Sequence, residues 1–388
     1  MTRIATASFV VTLIIITAIK VIYGGGTTFP EPELPQAART LDAAERVASL
    51  PTPVLAIAAT RGGRLFFGLH VRGTLAQPLV EWINGEARPY PPLDKRVEGD
   101  ALRTVSALAL DDEGRLWVLD HGEHGLFPAR LVAFNLSNGA RVHDFALPRS
   151  LAPRGSYMAG LAVTGDGRTV VMADASYIAR HPALVVYDSQ LREARRVLER
   201  DASTRSERYT PRVNGRRMEM FGLVSVRPGV DAVAISDDGQ WLNWAVPSQQ
   251  GIARLMLRDL RNKTLTEGQL SRRVDISKGK PFSEGLLALP GGDWAIAAPI
   301  SQKIVRVDVR GQAETWIAGA LGWPGALALG HDGQLYWSDK AVDRTATAGE
   351  PVRAVSGVPH RLAVPLKGSS RAVIKPSRNR HKATMPQK

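Results

Sequence analysis

The chain contains no cysteine. That single absence excludes disulfides, thiolate metal sites, iron–sulfur clusters and cysteine nucleophiles. It leaves the redox compartment open, because an oxidising space tolerates a cysteine-free protein. A G-x-S-x-G elbow, an H-E-x-x-H pair and a P-loop are also missing, and no Ser-His-Asp arrangement has supporting spacing. No long amphipathic helix separates the apolar runs, which argues against an α/β architecture. What is present is ordinary for a globular protein: 388 residues, 44% hydrophobic and 22% charged, which rules out a mostly disordered chain.

Acidic residues are in deficit. Lys and Arg number 50 against 37 Asp and Glu, a formal charge of +13 that invites a nucleic-acid reading. Position decides otherwise. Residues 351–388 hold nine basic residues and no acid, so the remaining 350 residues carry a net of only +4. Most of the excess belongs to the carboxyl end, seven of the nine in 366–388, a segment that has no periodic apolar pattern and reads as a disordered basic tail. Nucleic acid is therefore not an expected partner.

At the other end, Ile4 to Ile19 is uncharged, and Val21-Ile22-Tyr23 extends the run past Lys20. With Lys20 snorkelling, the stretch is 20 residues, enough to span a bilayer. The reading is a signal anchor or signal peptide over 1–26, with the membrane as partner through this segment. Arg3 favours the amino terminus inside. The bulk is then periplasmic or extracellular, anchored in the inner membrane by residues 4–23 if the segment is kept. Pro30, Pro32 and Pro35 mark 27–44 as a proline-rich linker.

A repeat sets the fold. A short apolar run, a polar turn with glycine and a second apolar run recur at 54–69, 105–120, 159–174, 231–246, 284–299 and 325–339. The turn glycines are Gly63, Gly114, Gly167, Gly239, Gly292 and Gly333. Such turns supply the positive φ of tight hairpins, and Val, Ile, Leu, Trp and Phe flank them as strands require. Third strands are expected at 129–136, 183–189, 252–259 and 303–309, and fourth strands at 141–147 and 194–200. Four-stranded units repeating every 40–55 residues predict an all-β, six-bladed β-propeller over 45–365. Residues 45–51 are expected to close the ring with strands near 352–357 and 360–364. A 72-residue spacing after the third unit marks an Arg-rich insertion at 199–220, either a lid or a solvated loop.

With these units in place, the chain resembles the major royal jelly/yellow family in its bacterial branch. The resemblance rests on GRLFFGLHVRGTLAQPLVEWINGEARPYPPLDKR at 63–96, VSALALDDEGRLWVLDHG at 105–122 and GWPGALALGHDGQLYWSD at 322–339. Arg64, Phe66, Pro78, Leu79, Tyr90, Pro91, Leu116, Trp117, Asp120 and Gly122 stand at the family's positions. The resemblance implies a ligand site at one mouth of the central channel, with biogenic amines bound there in some insect relatives. The related gluconolactonase/regucalcin-type propellers hold a divalent metal with Glu, Asn and Asp. This chain departs from that pattern: Ala159-Gly160 replaces Asn-Asp, Gly325 replaces the Asp of Trp-Pro-Asp, and Glu284 replaces an Asp. No cofactor is expected, and a divalent metal is disfavoured.

In a propeller, the loops leading into inner strands and those following second strands share one face. The first set is Arg103, Ser106, Tyr157, Asp231, Glu284 and Trp323. The second is His70, Arg72, Asp120, His121, His124, Asp174, Tyr177, Trp244, Gln249, Gln302 and Asp339. The candidate ligand-binding residues are Asp231, Glu284, Trp323, Tyr157, His70, His121, Gln302 and Asp339. Carboxylates and aromatics together suit a cationic or aromatic small molecule. Asp120 is expected to bond backbone in its loop, and Trp117, Trp241 and Trp337 to pack between blades. The alternatives are a metal-dependent, lactonase-like hydrolase and an envelope scaffold with a degenerate channel.

Overall fold

The computed structural model describes residues 2–363, apart from 36–43, 49, 51, 71–76, 96–100, 177–178, 214–215, 221, 320, 331–332 and 343–353. The expected basic tail at 366–388 lies outside the described residues. All six hairpin glycines have positive φ, between 66° and 92°, so each turn uses the conformation that only glycine adopts freely. Each hairpin is extended outward by further antiparallel strands. Among the described residues this produces six four-stranded sheets, the blades of an all-β propeller.

Blade 1 comprises Val54–Ala59, Leu65–Leu69, Leu79–Ile83 and Glu86–Pro89. Blade 2 comprises Val105–Leu110, Arg115–Asp120, Arg130–Asn135 and Arg141–Ala146. Blade 3 comprises Met158–Val163, Thr169–Asp174, Ala183–Asp188 and Glu193–Val197. Blade 4 has Ala232–Ile235, Trp241–Ala245, Ile252–Met256 and Asp275–Ile276. Two short helices, Leu257–Arg261 and Glu267–Ser271, precede its outermost strand. Blade 5 comprises Gly285–Ala288, Trp294–Ala298, Lys303–Val307 and Ala313–Ala318. Blade 6 comprises Trp323–Leu329, Gln334–Val342 and Ala354–Ala363.

The outermost strand of blade 6 is Glu45–Arg46, which pairs with Arg361 and His360. The ring therefore closes by the amino-terminal strand expected for it. Where two short strands were expected at 352–357 and 360–364, one longer strand, Ala354–Ala363, runs through both.

The core lies between blades. Trp117, Leu119 and Leu131 of blade 2 pack with Leu161, Val170 and Met172 of blade 3. Trp337 is fully buried between blades 5 and 6. Trp241 is only half-buried and lies under the Arg254 guanidinium, 4.7 Å from its ring, so it is a rim residue rather than core.

The amino-terminal helix α1 is Thr2–Tyr23. Among the described residues no helix is long and apolar enough to cross a membrane, and the span expected at residues 4–23 is not supported there. The segment after α1 is more than a spacer. Thr210 and Ser225 donate hydroxyl hydrogen bonds to the Gly25 carbonyl at 2.7 and 2.8 Å. Arg217 donates to the Gly26 carbonyl, Thr27 pairs with Tyr209, and Gln250 donates to the Pro30 carbonyl. Phe29 is buried edge-on against Tyr209 and Phe282. Residues 24–31 thus form a strap laid across the propeller and the insertion.

One device recurs in three blades. The second strand ends in an Asp whose carboxylate accepts backbone N–H bonds from the loop leading into its own inner strand. Asp120 accepts from Arg103 and Thr104, Asp174 from Tyr157, and Asp339 from Gly322 and Trp323. Asp174 also accepts from the Ser156 hydroxyl and pairs with the buried Arg196 at 2.8 Å. Removing one partner of a buried pair leaves the other charge uncompensated. Asp174→Ala is expected to destabilise the fold by about 3–5 kcal/mol, read as a lower urea midpoint; an unchanged midpoint would refute this assignment.

Candidate functional site

The inner strands begin at the channel mouth, and each blade places one residue there. Leu55, Ser106, Tyr157, Asp231, Glu284 and Trp323, one from each blade in order, line a single cavity of about 340 Å³. Their backbones are fixed by short-range bonds. Asp231 N–H donates to the Ala245 carbonyl and Glu284 N–H to the Ala297 carbonyl, closing the first rung of each hairpin. Tyr157 and Trp323 are held by the carboxylates of Asp174 and Asp339.

The roof comes from the insertion and the segment after it: Pro211, Met218, Val226 and Pro228 reach the same cavity. Trp244 and Gln249 tie the insertion down. The Trp244 indole donates to the Ser203 carbonyl, and the Gln249 amide donates to the carbonyls of Ala202 and Arg205. Trp244 is fully buried in the core, so neither residue serves the mouth in the way the topology suggested.

One ion pair and three desolvated titratable groups set the electrostatics. The Glu284 carboxylate is paired with the Lys340 ammonium. Asp231 is half-buried, its buried Oδ1 has no hydrogen-bond partner, and its pKa is driven well above the usual carboxylate range. Burial is the main cause, followed by the nearby Glu284 charge; Lys280 and Lys340 oppose the shift. Lys280 is fully buried, donating to the Pro247 and Pro281 carbonyls and the Ser283 hydroxyl. Burial pushes its pKa down to about 7, against the pull of Asp231, Glu31 and Glu207. Glu31, brought in by the strap, is pushed up to about 7, chiefly by burial and against Lys280 and Lys303.

Of the eight candidate residues, Asp231, Glu284, Trp323 and Tyr157 meet in the cavity, and the other four do not line it. His121 is buried behind Tyr157, ring centroids 4.8 Å apart. Asp339 holds the Trp323 backbone, and Gln302, at positive φ, contacts the Gly322 carbonyl. His70 is half-buried in the loop after the blade 1 hairpin, where its N–H donates to the Pro53 carbonyl. Loops after second strands support the mouth from behind rather than facing it. Arg103 turns outward, its guanidinium 3.7 Å from the Phe127 ring. Asp120 bonds backbone as expected. Arg72, Tyr177 and the side chain of His124 lie outside the described residues.

Lys340, Lys280, Phe282, Met218 and Glu31 were not anticipated. No motif marks them, although Lys340 directly follows Asp339 and strand alternation turns it to the opposite face.

The glycine departures have a packing cause. A Cβ on Gly160 would meet the Asp231 carbonyl at 2.6 Å, and one on Gly285 the Gly325 carbonyl at 2.3 Å. A Cβ on Gly325 would stand 3.2 Å from the Lys340 ammonium nitrogen. Neighbouring inner strands approach too closely for side chains at 160 and 285, and Lys340 crowds position 325. The residues do not fit a divalent metal: two carboxylates face the cavity, one already neutralised by a lysine. Among the described residues no group of three or more His, Asp or Glu could hold one.

Comparisons with known proteins agree with this architecture. The family model described as major royal jelly protein matches residues 103–274, blades 2 to 4, which include the GRLWVLD element. No curated protein matches the chain. Among solved structures, a gluconolactonase from Xanthomonas campestris aligns at 14% identity and a TM-score of 0.51, covering 88% of this chain and 98% of its own. Regucalcin from Agrobacterium tumefaciens aligns at 13% identity and a TM-score of 0.51, covering 83% and 95%. A luciferin-regenerating enzyme aligns at 11% identity and 0.51, covering 84% and 96%. At these identities the likeness is one of fold.

Lys280 gives this site a pH signature. Between its folded value of about 7 and its ordinary value of 10.5, the unfolded chain holds a proton that the folded chain does not. Stability contributed by this group therefore rises with pH across that window. Lys280→Met is expected to flatten the rise, measured as urea midpoints across the window; an identical slope in the variant would contradict the assignment.

Proposed function

We propose that the protein is an exported propeller of the major royal jelly/yellow type that binds a small aromatic or cationic ligand at the channel mouth. One observation carries this reading. Six blades deliver Tyr157, Trp323, Asp231 and Glu284, with Leu55 and Ser106, to one roofed cavity, and Asp231 keeps a buried carboxylate oxygen unpartnered there. A cavity of about 340 Å³ is the size of a small organic molecule's site. Phe282, Met218 and the two aromatics supply apolar surface, and one polar group fixes orientation.

The charge balance sharpens the choice between the two ligand classes. Lys340 pairs with one Glu284 oxygen and leaves Oε2 buried without a partner, while burial and the Glu284 charge raise the Asp231 pKa and so favour its neutral form. The resting mouth therefore recognises an aromatic ring first. A ligand ammonium becomes a good partner once Asp231 releases its proton, which the incoming charge itself favours. Export is part of the same proposal and is supported by the apolar run of α1. The hydrolase alternative loses support from the donor set, which offers no metal cage.

The test is calorimetry with phenethylamine, a catecholamine and a neutral aromatic of matched size. Amine affinity is expected to rise with pH, because the ionised form of Asp231 predominates only above its raised pKa. Asp231→Asn should remove that pH dependence and weaken amine binding by about tenfold while sparing the neutral ring. A flat response to all three compounds would leave the envelope-scaffold reading in its place.

A further inference from the structure

A second cavity, of about 220 Å³, lies where the insertion, the loop after blade 3's second strand and the end of α1 meet. Arg180, Arg205, Arg208 and Arg227 line it, with Ser176 and Ser206 beside them, and no Asp or Glu contributes to the lining. Four guanidinium groups around one hollow repel each other unless an anion sits among them. Burial and mutual repulsion lower the pKa of Arg227, with Arg180, Arg208 and Arg217 all acting on it; the one acid opposing them, Glu219, is itself paired with Arg217.

The four arginines divide into two roles. Arg180 and Arg227 are partly spent on the end of α1. Arg180 donates to the Ile22 and Tyr23 carbonyls and lies 4.2 Å from the Tyr23 ring; Arg227 donates to the Tyr23 and Gly24 carbonyls. Arg205 and Arg208, by contrast, have exposed side chains that make no hydrogen bond or ion pair among the described residues. Immediately beyond the cavity, α1 leaves Phe9, Leu13, Ile14, Val21 and Ile22 exposed. A basic hollow at the foot of an exposed apolar helix matches a molecule with an anionic head and an apolar body.

We propose that this cavity is a phosphate-binding site, with Arg205 and Arg208 as the free donors and Arg180 and Arg227 as the fixed ones. Guanidinium pairs with phosphate oxygens by two parallel N–H bonds, which suits the oxyanion of a phosphate monoester or diester better than a spherical halide. The phosphate arrives either as a phospholipid headgroup, with acyl chains along α1, or as a soluble ion.

The experiment uses the full chain. Calorimetry with inorganic phosphate is run beside flotation with phosphatidylcholine vesicles, with and without phosphatidic acid. The double variant Arg205→Ala/Arg208→Ala is compared with a charge-matched control, Arg258→Ala/Arg272→Ala, whose exposed side chains lie at the blade 4 helices. Binding about tenfold weaker in the first variant alone supports the site. Loss in the vesicle arm only assigns a lipid headgroup, and loss in the phosphate arm assigns the soluble ion. Equal binding by wild type and the first variant in both arms, or equal loss in the control, overturns the proposal.

Discussion

The pairing of Glu45–Arg46 with Ala354–Ala363 is the contact on which the rest of the molecule depends. Six blades present one residue each to the axis, and those residues share a cavity only if the first and last blades meet. The contact is short, two residues on one side, and joins positions more than 300 apart in sequence. Bringing such distant segments together carries a loop-closure cost that grows only slowly with length. Inter-blade packing repays it: a closed ring has no bare blade face, and Trp117 and Trp337 are buried because a neighbour lies on each side.

Closure also dictates which residues the mouth can carry. At the axis, inner strands come close enough that Gly160 and Gly285 face neighbouring carbonyls at distances no Cβ tolerates. Side chains are admitted at the starts of the inner strands, with Asp231, Glu284 and Tyr157 just before them and Trp323, Leu55 and Ser106 in their first two residues. Bringing acids there has a desolvation cost, offset for Glu284 by the Lys340 ammonium and expressed at Asp231 as a raised pKa. The chain thus supplies from its own lysines the positive charge that a metal ion would bring in a carboxylate-lined channel.

Much of the fold was legible because its signals are local. A positive-φ glycine between two β-branched or aromatic runs announces a hairpin, and all six such turns adopt that conformation. The four mouth residues were legible for a related reason: propeller topology assigns a face to any residue that leads into an inner strand. The other four candidates failed because topology gives a face but not a direction. His121 and Asp339 lie on that face and are turned into its support, one behind Tyr157 and one under Trp323. The strap was not legible at all. Its prolines suggest a spacer, whereas its attachment uses side chains about 200 positions away that donate to its backbone carbonyls, as Ser225 and Arg227 do at Gly25 and Gly24. Bonds to carbonyls leave no trace in the receiving sequence.

The strap joins the two cavities. Its start, at Tyr23 and Gly24, is gripped by Arg180 and Arg227 in the basic hollow, and its end brings Phe29 and Glu31 against Phe282 and Lys280 at the channel mouth. Glu31 is one of the charges acting on Lys280, as Lys280 acts on Asp231. Both cavities thus border one stretch of backbone held by side-chain hydrogen bonds, each worth about 1.5–3 kcal/mol when the donor is charged.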